Sequence, residues 1–115
     1  MDRKEKSEYI VELTPTSQIY FYEALEYIFE QYPPDRAEEI SRELKQTAKS
    51  LNLNPNRGAT EKRLDNRAQH YRFILYQRTK RADIKIIYFV DEQNKKVYVT
   101  DFFPTEKDDS QIAKR

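Results

Sequence analysis

Three runs rich in β-branched and aromatic residues, His70 to Tyr76, Ile84 to Val90 and Val97 to Phe103, lie with only Gln77 to Asp83 and Asp91 to Lys96 between them. Gaps this short and polar suit the connections of an antiparallel meander. Upstream, Tyr9 to Leu13 alternates as Tyr-Ile-Val-Glu-Leu, a short strand, and stops at Thr14-Pro15-Thr16. Either Thr14, with Pro15 in the first helical position, or Thr16 one turn later caps a helix. Phe21, Tyr22, Leu25, Ile28, Phe29 and Tyr32 then recur at three- and four-residue spacing, with Glu23, Glu26 and Glu30 on the other side. That pattern is an amphipathic helix. Tyr20, Tyr22, Tyr27 and Tyr32 fall at helical spacing and read as core or interface residues. Pro33-Pro34-Asp35 ends this helix and starts another, whose stripe is Ala37, Ile40, Leu44, Thr47, Ala48 and Leu51. So short a break makes a helical hairpin. The expected fold is α+β: an N-terminal strand, then an α-helical hairpin packed on an antiparallel three-stranded meander, in the order β-α-α-β-β-β.

At 115 residues the chain is expected to be one domain, with a polar N-terminal extension over 1–7 and a polar segment over 105–115, a tail or a short helix. Leu53-Asn54-Pro55-Asn56-Arg57-Gly58 stops the second helix, and a polar, basic connection runs on to about Gln69. Charged residues make up 36%, yet nine Tyr and six Phe supply enough large side chains for a core. With no Cys and one His there is no disulfide framework, no thiolate nucleophile and no zinc or copper site of soft ligands. A single Gly, Gly58, excludes both the P-loop and the Gly-x-Gly-x-x-Gly fingerprint. No cofactor is expected. No run is long enough for a membrane span, and Met1-Asp2-Arg3-Lys4-Glu5-Lys6 lacks the apolar stretch of a signal peptide, so a cytosolic location is expected.

The formal charge of +1 conceals a segregation. Residues 1–56 carry −4, residues 57–85 carry +6 and the remainder −1. The basic stretch holds Arg57, Lys62, Arg63, Arg67, Arg72, Arg78, Lys80, Arg81 and Lys85, a concentration suited to phosphates or an acidic protein, or else a solvated surface matched to the acidic helices. Strict alternation assigns Tyr71, Phe73 and Leu75 to the helix-covered face of the sheet and Arg72, Ile74 and Tyr76 to the open one. The next run splits as Ile84, Ile86, Tyr88 and Val90 against Lys85, Ile87 and Phe89. Arg72 and Lys85 are thus expected together on the open face as a phosphate site, unless Asp101 pairs with one of them. His70 is a candidate general base, though a lone His at a strand start is more often structural.

This element order resembles the RelE/ParE superfamily of toxins from bacterial type II toxin-antitoxin systems. The resemblance covers nearly the whole chain and is carried by Asn54-Pro55-Asn56-Arg57-Gly58, Tyr71-Arg72-Phe73-Ile74-Leu75-Tyr76, Ile84-Lys85-Ile86-Ile87-Tyr88-Phe89-Val90-Asp91 and Val97-Tyr98-Val99-Thr100-Asp101-Phe102-Phe103. RelE-like members are ribosome-dependent endoribonucleases that cleave mRNA, whereas ParE-like members inhibit DNA gyrase without catalysis. By resemblance, Arg72, Lys85 and Lys107 fall in the catalytic places, and Arg63, Arg67, Arg78, Lys80 and Arg81 are implied contacts to the nucleic-acid backbone. The implied partners are a cognate antitoxin, the ribosome and its mRNA. The segment Ser110 to Arg115 lacks the aromatic or His that many nuclease members carry there, a feature that suits the gyrase alternative or a degenerate, binding-only member.

Overall fold

A computed structural model of the chain describes residues 8–77 and 83–115. Strand β1 (Ile10–Leu13) leads into helix α1 (Pro15–Gln31), and α2 (Pro34–Lys49) follows across the Pro33 break. Thr14 is the cap of α1: its hydroxyl accepts from the backbone N–H of Ser17 at 3.1 Å, with Pro15 in the first turn, where its missing N–H costs nothing. After two short 3-10 turns come β2 (Ala59–Thr60), a 3-10 turn at Lys62–Leu64, and the meander β3 (Arg72–Gln77), β4 (Asp83–Asp91) and β5 (Lys96–Pro104). The five strands form one sheet in the order β1-β5-β4-β3-β2. The meander is antiparallel throughout, while β1 lies parallel to β5, with Ile10 opposite Lys96 and Leu13 opposite Val99. No helix among the described residues is long and apolar enough to cross a membrane.

The helix pair covers one sheet face. Phe21, Ala24 and Ile28 of α1 and Ala37, Ile40, Leu44 and Ala48 of α2 pack with Ile84, Ile86, Tyr88, Val97, Val99 and Phe102. The second helical stripe matches its sequence pattern, but the stripe on α1 is narrower than its apolar residues suggest, because Tyr22 and Phe29 are exposed. On β5 the inward set switches from odd to even numbers. An irregularity places Ile87 opposite Asp101 and Tyr88 opposite Val99, leaving Thr100 as an extra residue whose hydroxyl donates to the Ile87 carbonyl at 3.3 Å. This β-bulge keeps both Val99 and Phe102 in the core and turns Asp101 and Phe103 to the far face.

The alternation assigned to β3 is inverted in the structure. Arg72 pairs with Tyr88, Ile74 with Ile86 and Tyr76 with Ile84, all on the helix side, whereas Phe73 and Leu75 pair with Ile87 and Lys85 on the far side. Both residue sets on β3 and β4 are apolar, so alternation there carried no directional information. The far face is itself partly covered. Leu64 from the 3-10 turn and Ile112 from a C-terminal 3-10 helix (Asp109–Lys114) pack on Ile87 and Phe103, with Tyr71 and Phe73 beside them.

Candidate functional site

The far face carries the buried charges, and each sits in a made environment. Lys85 rises beside Phe73, its ammonium 4.3 Å from the ring centroid, and meets Glu61 at 2.9 Å, with Glu61 only 2% exposed. The other carboxylate oxygen of Glu61 accepts from the backbone N–H of Arg63 at 3.1 Å, so the pair pins the basic connection to the sheet. Arg72 stands on the opposite face and donates to the carbonyls of Asn56 and Gly58 at 3.3 and 2.8 Å. The expectation that Arg72 and Lys85 share a face is therefore corrected: the sheet separates them, and each holds a different part of the 54–67 segment.

Tyr88 completes that anchoring from inside the core. Its hydroxyl donates to the Pro55 carbonyl at 2.6 Å and accepts from the Gly58 N–H at 3.0 Å. A Cβ on Gly58 would lie 2.4 Å from the Tyr88 hydroxyl and 2.7 Å from the Phe73 carbonyl, so only glycine allows this approach. The Asn-Pro-Asn-Arg-Gly motif is thus a turn clamped between Arg72 and Tyr88, and it delivers the basic residues that follow.

One of them, Arg67, stands at a cleft of about 360 Å³ on the far face. Its floor is Ile87, Phe89, Thr100 and Asp101; Thr14, Thr16 and Tyr20 from the start of α1 stand on one side, and Arg67, Tyr71, Leu64, Ile112 and Arg115 contribute the rest. Arg67 donates to the Ala113 carbonyl at 2.6 Å, joining the basic connection to the C-terminal segment. Asp101 pairs with Arg115 at 2.9 Å, not with Arg72 or Lys85. The Arg115 guanidinium lies 3.8 Å from the Tyr20 ring centroid and 5.0 Å from that of Phe103, a stacked position that arginine's planar group favours. Burial pushes the Asp101 carboxyl up to about 6, with Arg115 and Lys107 pulling against that rise.

Among the described residues, only Arg67 of the basic and His candidates selected from sequence lines this cleft. Lys107 is exposed and borders a smaller hollow of about 100 Å³ that shares Tyr20 and Arg115 with the cleft. Arg63 is exposed beside the Glu61 anchor, and His70 is exposed with a ring nitrogen 3.5 Å from the Thr60 hydroxyl. Arg78, Lys80 and Arg81 lie outside the described residues. Asp101 and Arg115 are the pair that sequence reasoning missed. The one available signal was an aspartate inside an otherwise apolar strand, which needs a cation nearby.

With this geometry in view, a chain of the toxin-antitoxin complex RelBE2 from Mycobacterium tuberculosis superposes with a TM-score of 0.51, covering 84% of this chain and 90% of that one. The two share that fold. Sequence identity is 17%, so the likeness is one of architecture. No protein-family model matches the sequence, and no curated protein does.

Proposed function

We propose that this chain is the toxin of a bacterial type II toxin-antitoxin pair and that it cleaves mRNA on the ribosome without a metal. The observation that carries the reading is the cleft, where two guanidiniums, Arg67 and Arg115, border a concave surface with Tyr20 and Tyr71 beside them. Arginine forks match phosphate oxygens, and aromatic rings accept unstacked bases. Cleavage through the 2′-hydroxyl builds negative charge on a phosphorane, which fixed guanidiniums stabilise in a partly desolvated site. The fold shared with the RelBE2 complex supports the toxin assignment and an antitoxin partner. In this reading Arg63, Arg78, Lys80, Arg81 and Lys107 contact the nucleic-acid backbone around the cleft. Arg72 and Lys85 act as positioning residues that hold the basic segment in place. The antitoxin segment is acidic and amphipathic, to cover that segment.

Induced expression in bacteria of the wild type beside Arg67→Ala and Arg115→Ala tests this, with growth followed and mRNA 5′ ends mapped. Arrest with new ribosome-dependent cuts, lost in folded variants, is expected. Arrest with intact mRNA and DNA-damage signalling would move the activity to gyrase, and no arrest would remove the toxin reading.

A further inference from the structure

We propose that Asp101 is the proton acceptor of this cleft and that an incoming phosphate frees it by taking over the guanidinium of Arg115. The inference rests on the nuclease reading and adds the group that moves the proton. Asp101 sits on the bulged stretch of β5, 5% exposed, at the floor of the cleft. Its Oδ1 is held by one nitrogen of Arg115, while the Nε of the same guanidinium is buried and has no partner among the described residues. A pair built only to be satisfied would not leave a buried donor orphaned. A guanidinium offers five N–H donors, and stacking on Tyr20 fixes its plane without using any of them. The N–H groups of Arg115 other than that of the buried Nε are the donors a phosphate oxygen in the cleft can meet.

The groups facing the carboxyl decide what it does when the cleft fills. Arg115 comes from the C-terminal segment, Lys107 acts from the turn before it, Tyr20 from α1, and Arg67 and Tyr71 from the basic connection and the start of β3. On the sheet its neighbour across β4 is the apolar Ile87. With the cleft empty, Arg115 holds the carboxylate. When a phosphate engages Arg115, Asp101 loses its nearest cation inside an apolar wall and gains proton affinity as the substrate arrives. The carboxylate then takes the proton from the 2′-hydroxyl, the O2′–P bond forms, and the P–O5′ bond breaks with its electron pair on O5′, which takes a proton from water. The products are a 2′,3′-cyclic phosphate and a 5′-hydroxyl. Arg115 and Arg67 hold the non-bridging oxygens during the step.

Ribosome-dependent cleavage measured against pH for wild type, Asp101→Asn and Asp101→Glu tests the assignment. Wild-type kcat is expected to rise up to a pH near 6 or above and then level. Asp101→Asn is expected to lose about 10²–10⁴-fold in kcat along with that limb, with KM little changed and partial recovery in Asp101→Glu. Asp101→Asn cleaving at the wild-type rate with the same limb would overturn the proposal and leave the nuclease reading intact. A wild type that cuts nothing would remove the nuclease reading itself, and this proposal with it. A second measurement needs no variant: carbon-13 titration of the Asp101 carboxyl in the wild-type protein, with a dinucleotide lacking the first 2′-hydroxyl and with chloride at matched ionic strength. An upward shift with the dinucleotide alone is expected, and an unmoved titration would overturn the exchange.

Discussion

The two faces of the sheet are made from the same strands and solve opposite problems. On the helix side, Ile28, Ile40, Leu44, Ile86, Val97, Val99 and Phe102 are buried in a continuous apolar cluster, and its two tyrosines, Tyr76 and Tyr88, reach Glu43 and the Pro55 turn with their hydroxyls. On the far side four buried apolar residues, Leu64, Ile87, Phe103 and Ile112, share the surface with two ion pairs, Lys85 with Glu61 and Arg115 with Asp101. Apolar burial is non-directional and tolerates repacking, whereas a buried charge holds its partner to one geometry and costs several kcal/mol if left alone, on the order of 3–5. The first face keeps the molecule folded. The second holds charged groups at fixed positions beside a cleft.

Removing one partner of a buried pair is the harshest way to break this contrast. Lys85→Met leaves Glu61 uncompensated and is expected to cost about 3–5 kcal/mol in urea unfolding, with Glu61→Gln/Lys85→Met recovering most of it. A loss below about 1 kcal/mol for the single variant would mean that the far face does not rest on its ion pair. Truncating the helix side with Leu44→Ala is expected to cost about 2–5 kcal/mol, with no rescue by any charge change. A third probe uses pH. Because the folded protein holds the Asp101 proton more tightly than the unfolded chain, the contribution of this group to stability is greatest below the ordinary aspartate value of 3.8. It falls as pH rises towards about 6 and is level above that. The drop is expected to reach at most about 3 kcal/mol and to vanish in Asp101→Asn, as thermal melts across that window would show. Smallest is Tyr88→Phe, which strips the Pro55 carbonyl and Gly58 N–H of their partner. About 1–3 kcal/mol is expected, with faster amide exchange through residues 54–60 as its local signature.

How much of this was legible in the sequence differs between the same two faces. The stripe of the second helix, a threonine cap at Thr14 or Thr16, the meander and its order all follow from spacing and turn chemistry, since each is a local preference that the fold obeys. The facing of β3 was not legible, because Ile74 and Tyr76 are as apolar as Phe73 and Leu75, so neither side of the strand reads as the polar one. Nor was the cover on the far face, since the connection to Gln69 and the segment after Thr105 each hold a single large apolar residue, Leu64 and Ile112, that seats them. Asp101 was singled out, but its partner lies 14 residues on, in a segment with no apolar periodicity to mark it as structured. Pattern reports which residues seek burial. It does not report which charges will meet.

The parallel pairing of β1 with β5 has a consequence in time. Ile10 is made well before its partner Lys96, and at a synthesis rate of about 5–20 residues per second the first strand waits roughly 4–17 s for its neighbour. During that wait the helical hairpin, whose contacts are local, has no sheet to lie on. The cleft needs β4, β5 and the residues through Arg115 all at once. The cleft therefore forms only once every one of these segments has been made.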